Sequence, residues 1–255
     1  MANNPALNRF KSKVLTPSAA QLQGMYDRPA YVAPARYMTL DDVVVRTFAM
    51  LAVLFATGAV SWALTSTTAS LPLLFIGLFG GLGLGLYMSF TMRANAVTAL
   101  LYSAFEGMFL GAVSRVFDAR YPGIVVQALA GTVMVAVGVL IAYRVGAIRV
   151  TPKFTRVAVA ATFGVLGLMV INLLAYLVHP GGLGLRDGGP LAIIFSLVCI
   201  VVAAMNLVMD FDIVEQGIRR GADEKFAWYA SFALMVTLIW LYIEILRLLG
   251  YLRGK

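Results

Sequence analysis

The sequence predicts an all-α membrane protein with seven transmembrane helices, and three observations lead there. The chain of 255 residues is 61% hydrophobic and 13% charged, with a mean hydropathy of +0.87. A soluble domain carries about 25% charged residues, so polar groups here are too scarce to cover a globule in water. The apolar residues fall into seven runs, each near the ~20 residues that cross ~30 Å of hydrocarbon. Beyond residue 40, Pro72, Pro122, Pro152, Pro180 and Pro190 all sit at run starts or in loops, where a missing N–H costs little.

Residues 1–40 are polar and hold Pro5, Pro17, Pro29 and Pro34. They read as a cytoplasmic tail without the apolar core of a secretory signal. Residues 41–255 then form one transmembrane domain. Its entry is marked by Thr39-Leu40-Asp41-Asp42, an oxygen acceptor followed three residues on by an acid, which satisfies free N–H groups at a helix start. Asp42 and Arg46 are spaced to pair one turn apart. The runs cover 42–64, 71–92, 94–117, 122–143, 155–178, 190–211 and 226–250. Loops between them are short, so neighbouring helices run antiparallel. In the second run Gly77, Gly81 and Gly85 repeat every fourth residue, a stripe that lets another helix approach closely.

The net charge of +8 follows the topology of a membrane protein, not a nucleic-acid surface. With the N-terminus inside, fourteen of the 20 Lys/Arg fall on the inner face and six on the outer, which predicts a cytoplasmic N-terminus. Seven full crossings place the C-terminus outside; a re-entrant last run places both ends inside. Cys199 stands alone in an apolar run, so no disulfide within the chain is expected.

Enzyme chemistry is not expected, and neither is a resident cofactor. His179 is the only histidine and lies in the loop His179-Pro180-Gly181-Gly182. There is no phosphate-binding glycine loop and no nucleophile with a base at depth. What remains is a sparse set of intramembrane polar groups. Glu106 is the only charge in the 21 residues Ala94–Ser114. A charge at that depth costs ~2.5–3.5 kcal/mol on insertion scales, so it needs a partner, a proton or water. It either joins helices by hydrogen bonding or faces a lumen as a cation or proton site. Asn95 shares the run of Glu106, and Gln127, Asn172 and Asn206 lie within other runs. Asp210 and Asp212 follow 20 uncharged positions, 190–209, and Glu244 follows 18, Phe226–Ile243. These acids mark water boundaries, Glu244 pairing with Arg247, or they serve an ion path.

Phe211-Asp212-Ile213 near the end of run six, Leu241-Tyr242-Ile243-Glu244 in run seven, and Ala104-Phe105-Glu106-Gly107 carry a resemblance. Together with seven apolar runs they resemble the transmembrane Bax inhibitor motif family, in its bacterial Bax inhibitor-1/YccA-like branch, over roughly residues 40–252. The resemblance implies six helices surrounding a central C-terminal seventh, in a bacterial inner membrane. It implies a pH-sensitive calcium leak gated by an acid pair on helices six and seven that exchanges a shared proton with an arginine contact. Two close carboxylates cannot both stay ionised cheaply, which is why such a pair senses pH.

Asp212 matches the helix-six acid, with calcium, if bound, near it. Two registers stay open on helix seven: Glu244 holds the acid position in one, Thr237 in the other. At ~1.5 Å per residue Glu244 lies about 27 Å from a helix start at Phe226, far from Asp212. Arg93 is the candidate arginine contact. Expected partners are the lipid bilayer, calcium or protons, and other membrane proteins. The alternative function is a non-conducting regulator that binds other membrane proteins, such as a membrane protease, through its polar tail and glycine face.

Overall fold

Thr39 starts the bundle. It adopts an extended backbone (φ −116°, ψ 165°); its hydroxyl accepts from the Asp42 amide at 3.2 Å and its own amide donates to the Asp42 carboxylate at 3.0 Å. Helix α1 (Leu40–Leu64) follows from this box. Replacing Thr39 by Ala is expected to cost about 1 kcal/mol of local stability. It should show as faster hydrogen exchange at the Asp42 and Val43 amides, with the other helices unchanged.

The computed structural model describes residues 36–65 and 70–254 together with residues 19, 23 and 24; expectations for the other residues of the tail lie outside these. Six helices follow α1: α2 (Ser70–Thr91), α3 (Ala96–Arg120), α4 (Ile124–Arg144), α5 (Pro152–Val178), α6 (Pro190–Arg219) and α7 (Phe226–Arg253). All seven are long and apolar enough to cross a membrane, as the sequence predicts. Among the described residues the sole β feature is one bridge, Tyr37 to Asp223.

Boundaries moved where polar chemistry, not apolarity, ends a helix. Asn95, expected within the third span, is the N-cap of α3, its Oδ1 accepting from the Thr98 amide at 2.9 Å. Helix α6 runs two turns past its apolar stretch. There Asp212, Glu215 and Gln216 reach side chains one turn on, at Gln216, Arg219 and Arg220, the spacing that supports an exposed helix. Gly221 then stops it in the left-handed region at φ 63°, where glycine is strain-free.

Glycines set the closest approaches. A Cβ on Gly77 would meet the Phe109 amide at 2.7 Å, and one on Gly81 the Glu106 Oε1 at 2.7 Å. The expected stripe thus seats α2 against α3. A second glycine contact, absent from the sequence expectations, joins α1 to α3. There Gly58 faces Gly107 and Gly111 backbone to backbone, and Ser61 Oγ donates to the Met108 carbonyl at 2.6 Å.

Helix α7 is the most buried span. Its main neighbours are α1, α3, α4 and α6, whereas α2 packs chiefly on α3, and α5 on α6. The core around α7 gathers Met50, Met88, Tyr102, Phe232, Met235, Leu241 and Leu246.

The two ends of α7 lie at opposite faces. At its start, residues 36–38 pair with the α6–α7 turn: Met38 N donates to the Ala222 carbonyl at 2.8 Å, and Glu224 N to the Arg36 carbonyl at 3.0 Å. Arg46 clamps the same turn, with Nη2 2.7 Å from Glu224 Oε1 and its guanidinium 5.2 Å above Trp228. This is the tail face. At its other end Arg253 Nη1 donates to the Pro122 carbonyl in the α3–α4 turn at 3.0 Å, and Tyr251 lies against Arg186 of the α5–α6 loop. So α7 crosses fully and the re-entrant alternative is set aside. At 28 residues and ~1.5 Å per residue it measures about 42 Å.

Candidate functional site

The strongest electrostatic feature is Glu244, 1% exposed on α7. Arg186 grips it with two parallel bonds, Nη1 to Oε2 at 3.0 Å and Nη2 to Oε1 at 2.9 Å. Arg247, one turn on, adds Nη1 to Oε1 at 2.9 Å. Fork-on-fork pairing is the geometry that makes arginine suited to buried carboxylates. Burial in apolar surroundings leaves this charge stable only because it is paired and hydrogen-bonded. The expected pairing of Glu244 with Arg247 is present, and the sequence reading missed Arg186. That residue lies in the loop Gly181-Gly182-Leu183-Gly184-Leu185-Arg186, whose three glycines all have positive φ. The Asn172 Oδ1 holds this loop by accepting from the Leu183 amide at 3.0 Å. Arg186 also lies 5.1 Å above the Phe195 ring.

From this cluster a cavity of about 720 Å³ runs between α5, α6 and α7. Glu244, Arg186 and Arg247 stand at one end, Asn206, Thr162 and Thr237 toward the other. Asn206 Nδ2 donates to Thr162 Oγ1 at 2.7 Å. Thr237 forms the link beyond: its hydroxyl donates to Asp210 Oδ2 at 2.5 Å, and both residues are buried. Two turns of α7, about 10 Å, separate Thr237 from Glu244.

Past Asp210, toward the tail face, lies a third polar group. Tyr143 of α4 donates to Glu215 Oε2 at 2.5 Å and lies 3.3 Å from Asp212 Oδ1. Gln216 Nε2 donates to the other Asp212 oxygen at 2.5 Å. Asp212 is half-buried.

The expected acids therefore separate. Asp212 does not meet Glu244. The helix-six acid that does touch α7 is Asp210, and it touches Thr237, the residue that the second register puts in the acid position. Glu106 is half-buried in a different interface, against Gly81 of α2, with Tyr102 one turn away interacting with its carboxylate. It lines neither the α5–α6–α7 cavity nor a second, apolar cavity of about 550 Å³ between α1, α3, α4 and α7. Arg93 is exposed at the α2–α3 turn; the arginines that contact an acid of helix seven are Arg186 and Arg247.

Calcium takes six to eight oxygens. Among the described residues no three His, Cys, Asp or Glu side chains converge to hold a metal ion.

Seven long apolar helices, with their buried charge strung along α6 and α7, define a polytopic membrane protein. The chain belongs to the Bax inhibitor 1-like family, whose model matches residues 4–254, nearly the whole chain. No curated protein matches the chain.

Proposed function

We propose that this protein is a pH-sensitive cation leak channel, with calcium as the permeant ion, in a bacterial inner membrane with its N-terminus cytoplasmic. The observation that carries this reading is the run of polar groups along α6 and α7. Asp212, Glu215 and Tyr143 lie at the tail face, Asp210 and Thr237 in the middle, and a cavity leads on to Glu244. Intramembrane acids are costly, and their usual compensation is an ion or proton pathway. On this reading the Asp210–Thr237 bond closes the route, and gain or loss of a proton among these carboxylates opens or shuts it. The charge count favours a cytoplasmic tail face. On this reading the activity is transport, not catalysis.

The test is calcium flux into proteoliposomes across acidic to mildly alkaline pH. Asp210→Asn is expected to flatten the pH response, and Thr237→Val to raise the leak by removing the bond to Asp210. Glu106→Gln, in a separate interface, is expected to leave flux unchanged. Absence of flux at every pH sinks the proposal and leaves the non-conducting regulator as the better reading.

A further inference from the structure

Two guanidiniums share one carboxylate at the far-face end of the α5–α6–α7 cavity. Arg186 commits both terminal nitrogens to Glu244. Arg247 commits only Nη1; among the described residues its Nε and Nη2 have no hydrogen-bond partner. Its side chain is 30% exposed, and it lines the cavity. The cluster of Arg186, Arg247 and Glu244 carries one net positive charge. The nearby Asp187 is exposed and accepts from the Gly189 amide at 3.2 Å.

Below this head the lining turns apolar, with Leu166, Met169 and Leu173 on one wall and Trp240 and Ile243 on the other. The cavity parts α5 from α7, and Leu166 and Leu173 are themselves exposed, so its open side faces hydrocarbon. A half-buried guanidinium with free N–H groups facing a cavity is matched by an anionic acceptor, and the apolar floor beneath by an alkyl chain.

We propose that this cavity binds an anionic phospholipid. Its phosphate oxygens accept from Arg247 Nε and Nη2, and one acyl chain lies along Leu166, Met169 and Leu173. Basic pockets between transmembrane helices are the recurrent form of such sites, and the volume of about 720 Å³ falls in the range of roughly 300–1,000 Å³ usual for ligand sites. A zwitterionic lipid offers the same chains without net charge, and inorganic phosphate offers the charge without the chain. The site stands whether or not the protein conducts. If it does conduct, a chain in this cavity holds the route shut.

Native mass spectrometry of the full chain, released from nanodiscs of equal phosphatidylglycerol and phosphatidylcholine, tests the proposal. Phosphatidylglycerol is expected to be retained preferentially. Arg247→Gln keeps the Arg186–Glu244 pair and is expected to lower that retention about tenfold, the effect of losing one charge-assisted contact. Met169→Trp, which fills the cavity with the charges intact, is expected to lower it too, and decides the matter if Arg247→Gln fails to fold. Arg93→Gln, a charge removed elsewhere, is expected to change nothing. Equal retention of the two lipids, or phosphatidylglycerol retention unchanged in both cavity variants, overturns the proposal. So does displacement of the lipid by inorganic phosphate alone.

Discussion

Glu244→Gln is expected to destabilise the bundle by roughly 3–5 kcal/mol, the range for removing one partner of a buried ion pair. Among the described residues Glu244 is the one acid that pairs with Arg186 or Arg247, so its loss sets two guanidiniums against each other in a half-dry site. The double variant Glu244→Gln/Arg247→Gln removes that repulsion and should recover part of the loss. Thermal melting of the detergent-solubilised chain, followed by tryptophan fluorescence, reads both; Trp240 borders the cavity. If the single variant melts like the unaltered chain, the cluster does not hold α7 to the α5–α6 loop.

Gly111→Val should be nearly as damaging, by a different route. A Cβ at Gly111 would fall on the Gly58 carbonyl, and one at Gly107 on Thr57 Oγ1 and the Leu54 carbonyl. Backbone cannot rotate away as a side chain can, so α1 and α3 must part. Overpacking costs about 1–3 kcal/mol and occasionally more. Here it also breaks the Ser61 bond to the Met108 carbonyl. Gly83→Ala is the control, since a Cβ there meets nothing within 4 Å, and it should gain roughly 0.5–1 kcal/mol from helix propensity. Equal melting of Gly111→Val and Gly83→Ala would contradict the close contact.

The helices were legible because apolar length and capping chemistry are local. Thr39 and Asp42 lie three residues apart, and their box can be seen in the sequence; so can the glycine stripe of α2. Where reading failed, the partner was distant. Arg186 lies 58 residues from Glu244, in a loop whose path depends on glycine backbone angles. The α1–α3 glycine contact needs the rotation of both helices, which spacing along one of them does not give. Glu106 drew attention by its depth, yet depth says nothing about which face it presents, and that face meets Gly81. Asp210 was visible beside Asp212, but two residues apart on a helix they face different sides, and which side meets α7 is settled only by the contact with Thr237.

The clasp between α1 and α7 also sets an order of assembly. Arg46 meets Glu224 across 178 residues, and Ser231 donates to the Val43 carbonyl across 188. Closing so long a loop costs little extra free energy, since each doubling adds only about 0.6 kcal/mol, but it costs time. The chain emerges from its N-terminus, so α1 is in the bilayer long before α7 exists. It can dock on α3 early through Gly58, Gly107 and Gly111, while Arg46 waits. The most buried helix is the last one made, and until it arrives Arg186 has no Glu244 to neutralise it. A ribosome stalled before residue 226 would therefore leave a half-built bundle in which Arg186 lacks its Glu244 partner.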